Sequence, residues 1–330
     1  MKFSKAAPLD PYHFDDGISG FIDRIFVKPR YERHGFYRSM FDDDFSRIFC
    51  LLPRDKGERF SVLSNDDELT KRLLGNVESG YRSHGLDEIV YKLVVEIAQS
   101  LTMSGTTFYF FHDVPKHEEL HLAYLSANSI YRFLTVYFQL VPKRRLRHRT
   151  NDDEEIPREI RILDRDKLMC FNMPSSIKRI LTKQNRTLAV LDKQQKDRPV
   201  LFPQATHENP TPKNHFDFDI WIDTQDLALN RASHDTGWHC RNFDGSKRSD
   251  FFVCHRKIRF RRNQLILRDH ILFQLGNELT RVGRQYREGF HIAITPSSVL
   301  PKVEELNELE ILLSLEKISF TEVMDFCDER

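Results

Sequence analysis

The segment from Leu86 to Leu125 constrains the fold more tightly than any other part of this chain. Leu86, Ile89, Val90, Leu93, Val94, Ile97 and Leu101 recur at helical spacing and form one apolar stripe that must pack on a core. Gly105 stands where such a helix would stop, because the residue after the last turn often turns left-handed and glycine does so freely. The period then changes. Thr106–His112 (TTFYFFH) is β-branched and aromatic and reads as a strand, Val114-Pro115-Lys116 turns the chain, and Glu119–Leu125 (ELHLAYL) is apolar at Leu120, Leu122 and Tyr124. A helix leading into a β-hairpin or meander puts the chain in the α+β class.

The flanks extend this pattern. Residues 1–85 are rich in Asp, Arg and Phe and show no secure period, so they are taken as an irregular N-terminal part. Ser129–Val141 reads as one strand, and a charge cluster follows: Lys143, Arg144, Arg145, Arg147 and Arg149, then Asp152, Asp153, Glu154 and Glu155. Opposite blocks this close predict an exposed, partly self-neutralised loop between strands. Short strands are expected at Ile160–Leu163 and Leu168–Asn172. After Pro174, Ser175 or Ser176 can cap a helix with the face Ile177, Ile180, Leu181, Leu188 and Leu191. Pro199, Pro203, Pro210 and Pro212 make 198–214 an extended connector. Beyond it, Asp217–Trp238 reads as helix, Asn242–Gly245 as a turn, Phe251–Phe260 as a strand and Leu265–Leu279 as a helix. A helix over Val303–Leu315 and a short one behind Ser319 end the chain. The expected organisation is therefore 1–85, an α+β part over 86–197, the connector over 198–214, and a largely helical part over 215–330.

Composition narrows the class. With 40% hydrophobic and 30% charged residues the chain is too apolar for wholesale disorder, and a net charge of +1 argues against a protein coated in nucleic acid while permitting a local basic surface. Five scattered cysteines (Cys50, Cys170, Cys240, Cys254, Cys327) without a CxxC read as reduced thiols of a cytosolic compartment. Met1–Pro8 has no apolar signal core, and Phe133–Val141 is far shorter than the roughly 20 residues of a membrane helix, so neither export nor membrane residence is expected.

Candidate chemistry is thin. His117-Glu118-Glu119-Leu120-His121 matches HExxH, the helical zinc-peptidase motif. Here the surroundings read as strand, where residues i and i+4 lie about 13 Å apart, too far to hold one ion. His239-Cys240 and Cys254-His255 flank a turn and could meet across a hairpin, but adjacent ligands chelate poorly, and buried thiols are the expected state. No phosphate-binding glycine loop or nucleophile elbow is present, and Asp42-Asp43-Asp44 reads as a solvated acidic loop. No metal, cofactor or catalytic residue is therefore assigned, and the chain is expected not to be an enzyme. The strongest site signal is basic: Arg241, Lys247, Arg248, Arg256, Lys257, Arg259, Arg261 and Arg262, continuing to Arg268, with Phe251, Phe252 and Phe260 interleaved. Such a stretch suits a phosphate backbone or an acidic partner.

The order of elements resembles that of the portal proteins, the head–tail connectors of tailed phages and related gene-transfer particles. The resemblance runs over about 86–326 and rests on Glu96–Thr106 (amphipathic helix into a small-residue turn), Leu122–Ile130, Asp164–Pro174 (strand before helix), Arg268–Leu279, and Leu309–Met324 (LEILLSLEKISFTEVM). It implies a portal-like fold: a mixed β-sheet wing, long amphipathic stem helices and a small clip-like region into which the basic stretch would fall. It also implies a ring of copies of the chain, usually dodecameric, at a capsid vertex. Double-stranded DNA passes through such a ring, and the partners are the terminase large subunit, the major capsid protein and a head–tail adaptor. The location would be the virion, or host cytoplasm during assembly. The charge cluster over 143–157 has no counterpart in that pattern. The alternatives are a non-ring nucleic-acid-binding accessory protein whose basic hairpin holds phosphate and, third, an HExxH zinc hydrolase.

Overall fold

A computed structural model describes residues 2–8, 35–49, 57–75, 85–114, 119–141, 144–147, 153–156, 158–201, 218–240 and 248–329. The elements from the N-terminus are β1 (Lys2–Lys5), α1 (Phe36–Ser46), β2 (Phe60–Ser64), α2 (Asp67–Gly75), α3 (Leu86–Ser104), β3 (Thr106–Val114) and β4 (Glu119–Leu125). Then come β5 (Ile130–Phe133), β6 (Val136–Val141), β7 (Arg144–Arg147), β8 (Asp153–Ile156), β9 (Glu159–Leu163) and β10 (Leu168–Asn172). The C-terminal half holds α4 (Ser175–Leu201), α5 (Phe218–Ala232), α6 (Asp250–Gly283), β11 (Ile292–Pro296), α7 (Val303–Ser314) and α8 (Phe320–Glu329). The class is α+β, as expected. Two compact units divide the chain: 1–32, 57–172 and 269–299 form one, and 33–56, 173–268 and 300–330 the other. These boundaries do not coincide with the contiguous segments read from the sequence.

The first unit contains every strand found among the described residues. Helix α3 buries Ile89, Val90, Leu93, Val94, Ile97 and Leu101 of the stripe its spacing predicts, with Leu86 half-buried and Ala98 buried beside them. Each of the Ile, Val and Leu side chains contributes roughly 1.5–3 kcal/mol on full burial. Gly105 then takes φ 75°, and its N–H donates to the Leu101 carbonyl at 2.7 Å, ending the helix. Strand β3 follows at once and is central in the antiparallel order β10-β3-β4, with Phe110 opposite Ala123 on one side and Leu168 on the other. A second sheet runs β1-β9-β6-β5. Phe108, Phe110, Leu125, Ile130, Leu163 and Leu168, drawn from both sheets, form one buried cluster.

Two readings of this region need correction. Ser129–Val141 is two antiparallel strands, β5 and β6, because the chain reverses at Leu134, which takes φ 56° although it is not glycine. The charge cluster contains an antiparallel ladder instead of a loop, with Arg145 opposite Glu155 and Arg147 opposite Asp153. Nor are residues 1–85 irregular where they are described: α1, α2 and β2 lie there, and β2 pairs antiparallel with β11.

The described part of the second unit is helical. Its core joins Cys254, Ile258 and Leu265 of α6 to Leu306, Leu309 and Leu313 of α7 and Val323 and Cys327 of α8. Helix α8 starts at a reciprocal cap: the Glu322 N–H donates to Ser319 Oγ at 3.2 Å, and the Ser319 N–H to the Glu322 carboxylate at 2.9 Å. Helix α4 runs through Pro199 to Leu201, so the connector begins later than expected, and 202–214 lies outside the described residues. The largest correction is α6. One helix of 34 residues replaces the expected strand over Phe251–Phe260 and the separate helix beyond it. Aromatic and β-branched residues drew the strand reading, yet Cys254, Ile258, Arg261 and Leu265 fall on one buried helical stripe.

Candidate partner-facing site

Helix α6 carries most of the basic residues singled out from the sequence. Arg241 and Lys247 lie outside the described residues. At the start of α6 the Phe252 N–H donates to Ser249 Oγ at 3.3 Å. Exposed Arg248 lies over the Phe252 ring, 5.8 Å from its centroid. One helical turn later the environment changes completely.

Arg256 is only 3% exposed. Its guanidinium donates to the Asn230 carbonyl at 3.1 Å, to the Ser233 carbonyl at 3.1 Å, to Ser233 Oγ at 2.6 Å, and to the Trp238 carbonyl. Asn230 is in the last turn of α5, where carbonyls have no intrahelical donor, so Arg256 caps that helix from outside. Burial, aided by the charges of Arg259 and Arg248, pushes Arg256 down to about 10, which still leaves it charged at neutral pH. The close approach depends on Gly237, at φ 77°, where an added Cβ would sit 2.3 Å from the Arg256 carbonyl oxygen.

The neighbouring basic residues are used the same way. Arg261, 3% exposed, donates to the Ile48 carbonyl at 3.0 Å. Gln264 reaches the carbonyls of Asp44, Phe45 and Arg47 at 3.0, 3.4 and 3.0 Å, closing the C-terminal end of α1. At the other end of α1, Asp192 accepts from the N–H groups of Tyr37 and Arg38 at 2.7 and 3.2 Å. Fully buried Arg268 donates to the Pro301 carbonyl at 2.9 Å. Arg262 pairs with Glu310, which also meets His255 at 3.0 Å, and Lys257 pairs with Asp328 at 2.5 Å. Arg259 donates to the His234 carbonyl at 2.9 Å. The stretch therefore does not gather on one open face, and it is helix instead of the expected hairpin. Arg256, Arg261 and Arg268 hold carbonyls, Arg262 and Lys257 hold carboxylates, and Arg248 and Arg259 reach solvent.

The two His/Cys pairs weighed and set aside as zinc ligands have other partners. Cys240 Sγ lies 3.6 Å from Met40 Sδ, and the Cys254 thiol donates to the Phe320 carbonyl at 3.5 Å. Burial and the charge of Arg256 push His239 down to about 4. Among the described residues no three His, Cys, Asp or Glu side chains converge to hold a metal ion. His117 and Glu118 of the HExxH match lie outside the described residues, while His121 is in strand β4, opposite His112.

Sequence reasoning missed Gln264, Asn263 and Asp192, which do as much capping as the arginines. Asn263 donates to the Asp235 and Thr236 carbonyls at 3.2 Å. For Asn263 and Gln264 the available signal was a polar pair at the buried phase of α6, and Asp192 had none. Among the described residues no helix is long and apolar enough to cross a membrane.

No protein-family model matches the sequence, and no curated protein matches it. Among solved structures the chain is similar to a protein in the neck of an empty gene transfer agent particle computed with C6 symmetry, at 10% identity, 88% coverage of each chain and a TM-score of 0.40. It is similar to a protein in the virion of a native gene transfer agent particle, at 9% identity and TM-score 0.39 over 93% of this chain and 99% of that one. A third likeness is to the neck of a native particle computed with C12 symmetry, at 10% identity and TM-score 0.38 over 94% and 98%.

Proposed function

We propose that this chain is a structural subunit of a phage-like particle, of the portal type. Copies of it form a closed ring at a capsid vertex, and double-stranded DNA passes through the ring during packaging and ejection. The terminase large subunit, the major capsid protein and a head–tail adaptor dock on the ring. Energy-consuming chemistry belongs to the motor, so the chain itself is not an enzyme. It resides in the virion and, during assembly, in host cytoplasm.

The observation that carries the reading is the order of elements. Helix α3 closes at a left-handed glycine and feeds the strand pair β3 and β4. The Asp164–Pro174 segment supplies β10 and leads straight into the long helix α4. Arg268–Leu279 lies within the second long helix, α6, and Leu309–Met324 spans the end of α7 and the start of α8. The use of the basic residues supports the same reading. A channel through which DNA slides must not grip phosphate, and Arg256, Arg261 and Arg268 spend donors on backbone carbonyls. That counts against the nucleic-acid-binding alternative at Arg256 and Arg261.

Purified protein is expected to form rings, visible as one large species in mass photometry and as rotationally symmetric classes with a central opening in negative stain. Only monomers or dimers, across protein concentration and salt, would refute the reading.

A further inference from the structure

The charge cluster over 143–157 is the feature of the sequence that the proposed ring leaves unused. Its register shows what it continues. Val141 of β6 stands opposite Glu159 of β9; three residues on along one strand and three back along the other, Arg144 of β7 stands opposite Ile156 of β8. The β7/β8 ladder therefore prolongs the β6/β9 hairpin without a slip in register, out to Arg147 opposite Asp153. The rest of the sheet accompanies only the first part of this hairpin. Strand β5 pairs with β6 from Val136 to Gln139, and β1 pairs with β9 from Glu159 to Ile162. Among the described residues, β7 and β8 pair only with each other. Among these residues each therefore has one unpaired edge, a template for another strand unless something opposes it.

The two edges carry opposite charge. Strand β7 contributes Arg144, Arg145 and Arg147, and β8 contributes Asp153, Glu154 and Glu155. Opposite charges directly across a ladder stabilise a strand pair, and like charges destabilise it. A second ribbon laid β7 to β7, or β8 to β8, meets like charge, which disfavours a two-fold dimer through these edges. Only β7 of one copy beside β8 of another meets opposite charge. That contact is head-to-tail, leaves each copy one open strand for the next, and closes into a ring where the rotation allows.

We propose that this ribbon is the clasp between neighbouring subunits, its basic strand β7 taking the acidic strand β8 of a second copy of this chain. The inference rests on the ring reading above and names the surface that closes the ring.

Charge-swapped chains test it. One carries Arg144→Glu, Arg145→Glu and Arg147→Glu; another carries Asp153→Lys, Glu154→Lys and Glu155→Lys; a third carries all six changes. Mass photometry over a dilution series, at low and at physiological salt, reads the assembled fraction, and far-UV circular dichroism confirms folding. Either threefold swap should raise the concentration for half-assembly about tenfold or more, the order expected when two directly opposed cross-strand pairs turn repulsive. The sixfold chain should recover assembly, and so should an equimolar mixture of the two threefold chains. Added salt should weaken assembly of the wild type, since exposed charges are screened beyond about 8 Å at physiological ionic strength. Threefold swaps that assemble like the wild type overturn the clasp and leave the ring standing. Failure of both the sixfold chain and the mixture also overturns the clasp. A wild type that never assembles overturns the ring, and the clasp with it.

Discussion

Replacing Arg256 by methionine separates an arginine that holds the fold from one that binds phosphate. Methionine keeps most of the stem's volume and offers no donor. The Ser233 carbonyl would keep two other donors, the Gly237 N–H at 2.9 Å and the Thr236 hydroxyl at 3.0 Å. The carbonyls of Asn230 and Trp238 would each lose the Arg256 donor. A buried acceptor left without a donor costs about 1–3 kcal/mol, so two of them cost about 2–6 kcal/mol. Relief from burying the charge works the other way, as the lowered pKa of Arg256 indicates, and we take about 2 kcal/mol as the net loss. A domain of 150–250 residues loses about 2–4 °C per kcal/mol, which gives about 4–8 °C in Tm. Arg256→Lys should recover only part of this, because one ammonium cannot reproduce the spread of a guanidinium. The assay is thermal unfolding followed by circular dichroism, run alongside fluorescence anisotropy of labelled duplex DNA. An unchanged Tm together with lost duplex binding would refute the reasoning, since Arg256 would then be serving phosphate and not the end of α5.

Three further outcomes are expected. Gly105→Ala and Gly237→Ala meet the same backbone strain, at φ 75° and 77°, but a Cβ at Gly105 meets nothing within 4 Å while one at Gly237 strikes the Arg256 carbonyl at 2.3 Å. The first should cost about 1 kcal/mol and the second clearly more, and equal Tm losses would contradict the packing described. Asp42 is pushed up to about 6, chiefly by burial and against the pull of Arg38, from an ordinary value of 3.8. The folded state then holds the proton longer than the unfolded one, so Asp42 makes stability fall as pH rises from about 4 to about 6, and Asp42→Asn should flatten that slope in urea titrations at stepped pH. Finally, Arg248→Ala with Arg259→Ala should leave duplex binding weak and unaltered across a salt series. Submicromolar, steeply salt-dependent wild-type binding, lost in that double variant, would favour the accessory nucleic-acid-binding reading.

What was legible in the sequence was local. The α3–β3–β4 run declared itself because its apolar period changes from helical to alternating across one glycine. The cap of α8 was visible in Ser319, with Glu322 three residues on to complete a capping box. What was illegible depends on distance or on an absent signal. Helix α1 has no side-chain cap of its own at Gly35; Asp192, 155 positions from Tyr37 in the chain, and Gln264, 220 positions from Asp44, close its two ends. No window of the first 85 residues contains that information. The β5/β6 reversal carries no Gly, Pro, Asn or Asp, so nothing in IYRFLTVYFQLV marks the turn that Leu134 makes.

The two charged segments show where a charge pattern does and does not point to a partner. In α6 the cations alternate with apolar residues at a helical phase, so Arg256, Arg261 and Arg268 share buried stripes with Cys254, Ile258, Leu265 and Ile271. A cation forced to the inside by its helical phase has to find acceptors there, and the orphan carbonyls at helix ends are the ones within reach. That arrangement reads as a basic patch in sequence and works as capping in the fold. In the β7/β8 ribbon the charges are instead blocked by sign, one strand each, with Leu146 and Ile156 the apolar residues among them. The register opposes Arg145 to Glu155 and, among the described residues, leaves each strand one further edge. A search for the partner-binding surface of this chain should therefore begin at the segment whose charges are segregated, and only afterwards turn to the one where they are most numerous.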